Sequence, residues 1–97
     1  MIRHSVIFTL RPSVTAAEKQ RFFDASARLV EIPGVMQFAI LRQVSPKNNF
    51  GYSISMEFAD KAQYEAYNQH PAHQAFVEQF WMACVEDFLE IDLEPVS

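Results

Sequence analysis

Two of the three histidines in this 97-residue chain, His4 and His73, fall where imidazole chemistry is worth weighing. A neutral imidazole can take a proton as a general base and return it as a general acid near pH 7. His4 lies among the even-numbered residues Ile2, Val6, Phe8 and Leu10, the apolar side of an alternating segment. His73 shares a helical stripe with Phe76, Val77 and Phe80. Both rings are therefore expected in one layer, between a sheet and the helices that cover it. His73 falls in the first turn of a helix opening at Pro71, a residue that suits the first helical position. The positive end of the helix dipole disfavours imidazolium there, so a neutral ring is expected. Tyr67 precedes the His70-Pro71 turn by three residues, and a phenol there can donate to a developing oxyanion. In the set His73, His4 and Tyr67, His73 would serve as a general base and Tyr67 as the donor to an oxyanion. The plainer alternative is a pair of core histidines, each satisfied by one hydrogen bond, with Tyr64 and Tyr67 as ordinary aromatic packing.

Other chemistries find less support. His70, His73 and His4 would suffice for an open three-histidine zinc site, but Pro71 breaks the run between His70 and His73. His70 is expected to cap the helix and face water, so no metal is expected. No GxGxxG, GxxxxGK[ST] or GxSxG motif occurs, and no cofactor is expected. Cys84, the single cysteine, sits in an apolar helical stretch and reads as a structural thiol. The acidic run Glu86, Asp87, Glu90, Asp92 and Glu94 reads as a solvated strand face and tail. That leaves no carboxylate to orient either histidine. Trp81 reads as a packing residue at a helix edge or a dimer rim.

The elements that must position these groups can be read from hydrophobic period and capping residues. Residues 2–10 alternate as a strand. Thr15 and Glu18 fit a capping box, in which each side chain satisfies a free N–H of the helix start. Phe22, Ser26, Leu29 and Val30 then recur at helical spacing until Pro33-Gly34. Residues 35–44 form a second strand with Met36, Phe38 and Ile40 on one face. A turn at 45–50 leads to a third strand at 51–59, where Tyr52, Ile54, Met56 and Phe58 alternate with polar residues. Asp60 caps a short helix to about residue 68, the Pro71 helix follows, and residues 86–94 form a fourth strand. The order βαββαβ predicts an α+β, ferredoxin-like, four-stranded antiparallel sheet with both helices on one face. Phe8, Phe22, Ser26 and Phe76 are expected to line the pocket beneath the helices. The other face, with Ser5, Ile7, Gln37, Ala39, Leu41, Ser53 and Ser55, is too apolar for water and too polar for a closed core. It predicts a homodimer packed sheet to sheet.

Composition bounds the rest. With 49% apolar residues the chain can build a core, and its length suits one domain over residues 1–97. A domain of this size buries only roughly 60–65% of its unfolded surface, so a partner subunit would help it. The formal charge of −4 counts against nucleic-acid binding and against a polybasic membrane anchor. The apolar runs are too short to span a bilayer, and no signal-peptide pattern opens the chain, so a cytoplasmic address is expected.

Met1-Ile2-Arg3-His4, Tyr64-Glu65-Ala66-Tyr67, His70-Pro71-Ala72-His73-Gln74-Ala75-Phe76 and Val85-Glu86-Asp87-Phe88 together resemble the Dabb family of stress-responsive dimeric α/β-barrel domains. The resemblance covers essentially the whole chain. It implies a ferredoxin-like subunit that dimerises into a dimeric α/β barrel, in a family most of whose members have no assigned reaction. One member, a plant polyketide (olivetolic acid) cyclase, closes a ring by aldol condensation. Its histidines match His4 and His73, and one pocket tyrosine matches Tyr67. Another of its pocket tyrosines falls at Ser26, a departure that argues against carrying over its substrate. A proton-abstracting enzyme, a noncatalytic dimer that holds a small apolar or aromatic ligand, and a monooxygenase-like barrel are the three functions the resemblance leaves open.

Overall fold

The computed structural model describes residues 1–97. Strand β1 (Ile2–Leu10) leads to helix α1 (Ala16–Ala27), which tightens into a 3₁₀ turn at Arg28–Glu31. Strands β2 (Met36–Arg42) and β3 (Tyr52–Phe58) follow. Helices α2 (Lys61–Gln69) and α3 (Pro71–Phe76) then run through a π-helical stretch, Val77–Trp81, and a last helical turn, Met82–Cys84, into β4 (Val85–Leu93). The strands pair in the order β2-β3-β1-β4, each pair antiparallel. This is the ferredoxin-like arrangement expected from the order of elements, with β1 at the centre beside β3.

The caps form as the sequence dictates. The Thr15 hydroxyl accepts from the Glu18 N–H while the Glu18 carboxylate accepts from the Thr15 N–H. That reciprocal pair holds the Glu18 carboxyl below its ordinary range. Asp60 accepts from the Gln63 N–H and starts α2. His70 ends α2 and starts α3, its Nδ1 accepting from the Ala72 N–H. Between sheet and helices, Phe8, Phe22, Ile54, Met56 and Phe58 are completely or almost completely buried.

Gly34 allows the chain to turn from α1 into β2. Its φ is +92°, and a Cβ there would lie 2.6 Å from the Gln63 Oε1. The left-handed backbone penalises a side chain, whereas the flexible Gln63 amide can swing aside. Gly34→Ala should cost about 1–3 kcal/mol, read as a lowered midpoint in urea with unchanged slope.

Two strands depart from simple alternation. Gln37 has φ +50°, and the β2–β3 register shifts between Met36 and Ala39. Met36, expected beside Phe38 and Ile40, instead opposes Glu57 on the open face and is half exposed. One bulged residue reverses the facing of everything before it. In β4 the acidic residues are solvent-exposed, as expected, but Glu90 and Asp92 stand on the helix side of the strand. Asp92 opposes His4, Glu90 opposes Val6 and Phe88 opposes Phe8, all on the helix side. Leu89, Ile91 and Leu93 oppose Ile7, Ser5 and Arg3 on the open side. Leu41, Leu89 and Leu93 each remain about half exposed there. The open face also carries a Ser5–Ser55 hydroxyl pair at 3.1 Å and the Arg3–Glu57 ion pair at 3.0 Å. No helix is long and apolar enough to cross a membrane.

Candidate active site

The central strand delivers His4 to the helix side, where the ring is 4% exposed. Its Nδ1 lies 2.7 Å from Asp92 Oδ1 and 2.9 Å from the Tyr64 hydroxyl. The Tyr64 O–H donates to Asp92, with both carboxylate oxygens within 3.0 Å. A carboxylate only accepts, so Nδ1 carries a proton, and in the neutral ring the lone pair is then on Nε2. Asp92, expected in a solvated acidic face, is the carboxylate that orients this histidine. Cross-strand pairing with His4 puts it there. Burial, reinforced by Asp92, raises the Tyr64 proton affinity far above the ordinary phenol range, so Tyr64 stays a donor.

Helix α2 carries Tyr64 and Tyr67 three residues apart, on one face. Tyr67 is 2% exposed, and its ring lies between His4, 6.3 Å away, and His73, 4.6 Å away, centroid to centroid. Desolvation raises its proton affinity strongly, so it too remains a phenol. No protein atom hydrogen-bonds its hydroxyl, yet no buried side-chain oxygen or nitrogen in the chain is left both unpartnered and sealed from solvent. The hydroxyl therefore keeps contact with solvent, and Tyr67 is one of the residues lining the cavity.

His73 lies half-buried in α3, and its Nδ1 is 3.2 Å from the Asn68 carbonyl oxygen. A carbonyl only accepts, so Nδ1–H donates and Nε2 is again free. Burial lowers its proton affinity below the ordinary histidine value, with the nearby His4 acting in the same direction. Burial thus favours the neutral ring expected from the sequence. His73 is the third residue of α3, in the first turn after Pro71, as expected.

His4, Tyr67 and His73 line one cavity of about 190 Å³. Its apolar wall comes from Val6, Leu29, Ile54, Met56, Phe76, Val77, Trp81 and Phe88, and Glu90 supplies a carboxylate. Of the pocket residues expected from the sequence, Phe76 is on this wall. Phe8, Phe22 and Ser26 lie behind it, fully buried. Ser26 turns its hydroxyl back along α1 to the Phe22 carbonyl at 2.7 Å, as a short polar side chain on a helix can. Trp81, expected at an edge or rim, packs on Phe8 at 5.0 Å and Phe88 at 5.5 Å. The π-helical stretch brings both Val77 and Trp81 to the wall.

The remaining candidates lie elsewhere. His70 belongs to a wider groove between α1 and α3, about 740 Å³, that holds neither His4, Tyr67 nor His73. It does not join the other two histidines. Cys84 is buried, and desolvation raises its thiol proton affinity, which leaves it inert.

No curated protein matches the chain in sequence. A solved Dabb family protein with a ferredoxin-like fold from Mesorhizobium loti is 49% identical, with 99% of this chain and 97% of that one covered and a TM-score of 0.92. A dimeric ferredoxin-like protein of unknown function from Thermobifida fusca is 20% identical over 95% of this chain and 88% of that one, TM-score 0.81. The hydroxynitrile lyase of Passiflora edulis is 16% identical over 95% and 90%, TM-score 0.84, a likeness of fold. The model of the stress responsive A/B barrel domain matches residues 2–95. Nearly every residue of the sheet, the helical layer and the cavity between them falls within that match, and the chain belongs to the Dabb family.

Proposed function

We propose that the chain is a small-molecule enzyme that removes a proton next to a carbonyl, with His73 as the base. One observation carries this reading: His4 Nε2, the Tyr67 hydroxyl and His73 Nε2 are all unpartnered by protein and all belong to walls of one apolar cavity. A core histidine of purely structural role spends its free nitrogen on a neighbour. Here each ring spends only Nδ1, on Asp92 and on the Asn68 carbonyl. In the proposed step the α C–H breaks and its proton goes to His73 Nε2. The electron pair moves into an enolate whose oxygen accepts from the Tyr67 O–H. His4, held by Asp92 and Tyr64, positions the substrate and can take up or return a proton on the opposite side. The relative named as a hydroxynitrile lyase is consistent with a proton-transfer role for this fold. The noncatalytic alternative would use the same cavity for an apolar ligand. The oriented tautomers favour the enzyme.

The test needs no natural substrate. Acetophenone in heavy water should exchange its methyl protons faster with the protein than with buffer alone, followed by proton NMR. Exchange at the buffer rate, with the ketone bound, would leave a ligand-binding protein.

We propose further that the active form is a homodimer joined through the open face of the sheet. Leu41, Leu89 and Leu93 are half exposed there, and a related structure of this fold is dimeric. A face of this composition is costly to leave in water. Leu89→Lys should convert a sedimenting dimer to a folded monomer. A variant that sediments as the wild type would move the interface elsewhere.

A further inference from the structure

We infer that the cavity accepts small uncharged carbonyl compounds, one ring or a short chain in size, and that Glu90 is the residue that turns carboxylates away. The inference rests on the site proposed above and narrows what that site takes.

Size comes from the volume. The cavity measures about 190 Å³. A cavity of about 150 Å³ in another protein binds benzene, and drug-sized ligands need roughly 300–1,000 Å³. The space between His4 and His73 therefore suits one ring bearing a carbonyl and excludes a long folded chain. Ser26 contributes no extra room to it, since its side chain is fully buried behind the wall and turned into α1.

Charge comes from Glu90. Strand pairing with Val6 places it on the helix side of β4, and it lines the cavity together with His4, Tyr67 and His73. No ion pair neutralises it, since the three in the chain join Arg3 to Glu57, His4 to Asp92 and Arg28 to Glu31. No lysine or arginine lines the cavity. Its negative charge favours the protonated forms of both Tyr67 and His73, which places it within electrostatic reach of both. A carboxylate ligand entering this apolar space would lose its hydration, find no cation and face a like charge. A neutral ketone loses little, and its oxygen gains the Tyr67 donor.

The experiment compares acetophenone with benzoate, two probes of equal size that differ in charge, by NMR titration at pH 7.5 with shifts read at Tyr67 and His73. The wild type should bind acetophenone about tenfold or more tighter than benzoate. Glu90→Gln should bring the two within about threefold by strengthening benzoate. Glu86→Gln, which removes a carboxylate from the same strand outside the cavity, should leave the preference intact. Equal binding of both probes by the wild type, or an unchanged preference in Glu90→Gln, overturns the charge filter. Loss of the preference in Glu86→Gln also overturns it, because overall charge would then be the cause. Absence of both probes from the cavity overturns the size assignment and the site together. Acetophenone binding with a Glu90-dependent preference but no deuterium exchange upholds this inference and removes the base reading alone.

Discussion

His73→Ala is expected to lose a factor of about 10²–10⁴ in the exchange of acetophenone methyl protons, the range a positioned general base supplies. The fold should persist, because His73 is half-buried in a short helix and contributes no hydrogen bond beyond the one to the Asn68 carbonyl. Circular dichroism and a melting curve verify that point. The same variant separates base from bystander through pH. Burial puts the His73 proton affinity below the ordinary value of 6.5. The ring therefore stays neutral as pH falls to 6.5, and wild-type exchange should hold there and decline only at lower pH, as the ring protonates. The residual rate of His73→Ala should show no such decline. Stability follows the same sign. The unfolded chain takes the proton first, so the contribution of a neutral His73 is complete above about 6.5. It is lost as pH falls from there through the lower folded value. Exchange that survives in His73→Ala would assign the base elsewhere, with the Asp92-oriented His4 first in line.

The parts of this site that the sequence made legible are those governed by local period. The capping box at Thr15 and Glu18, the Asp60 cap, the Pro71 start and the alternation of β1 and β3 depend on neighbours a few residues apart. They placed His4, Tyr67 and His73 in one layer. What was not legible depends on register between distant strands. β4 alternates leucine or isoleucine with acidic residues, and the usual rule turns the apolar side inward. In this fold both sheet faces carry apolar surface, so alternation alone does not say which face meets the helices. The structure answers through pairing: Ile7 opposes Leu89 on the open side, which sends Glu90 and Asp92 inward. Tyr64 was missed for a related reason. Its i, i+3 relation to Tyr67 shows a shared helix face, but the hydroxyl gains meaning only once Asp92 is beside it. Met36 was misplaced because a bulge at Gln37 leaves no composition signal.

A second large effect is expected behind the cavity rather than in it. Phe22→Ala should destabilise the fold by about 3–5 kcal/mol, the cost of deleting a fully buried aromatic ring that its neighbours cannot refill. Phe22 is completely buried, and its ring centroid lies 5.6 Å from both Phe8 and Phe76, 5.3 Å from Phe23 and 6.2 Å from Trp81. These neighbours come from β1, α1, α3 and the π-helical stretch, so none can move in without disturbing its own element. A domain of this size has only about 5–15 kcal/mol to lose, and each kilocalorie lowers the melting temperature by roughly 4–8 °C. The expected fall is therefore roughly 12–40 °C, measured by calorimetry at fixed protein concentration so that any dimer contributes equally. Phe88→Ala is the matched stability control: the residue is 51% exposed and meets Trp81 in a T-shaped contact, so its removal should cost far less. Phe22→Ala also tests how the cavity stays open. Phe76 and Trp81 form part of its wall, and Phe22 is the ring that both lean on. If that packing keeps the two histidines apart, Phe22→Ala should weaken acetophenone binding even at temperatures where the variant is fully folded. A variant that melts within a few degrees of the wild type and binds the ketone equally well would show that the helical layer needs no such support.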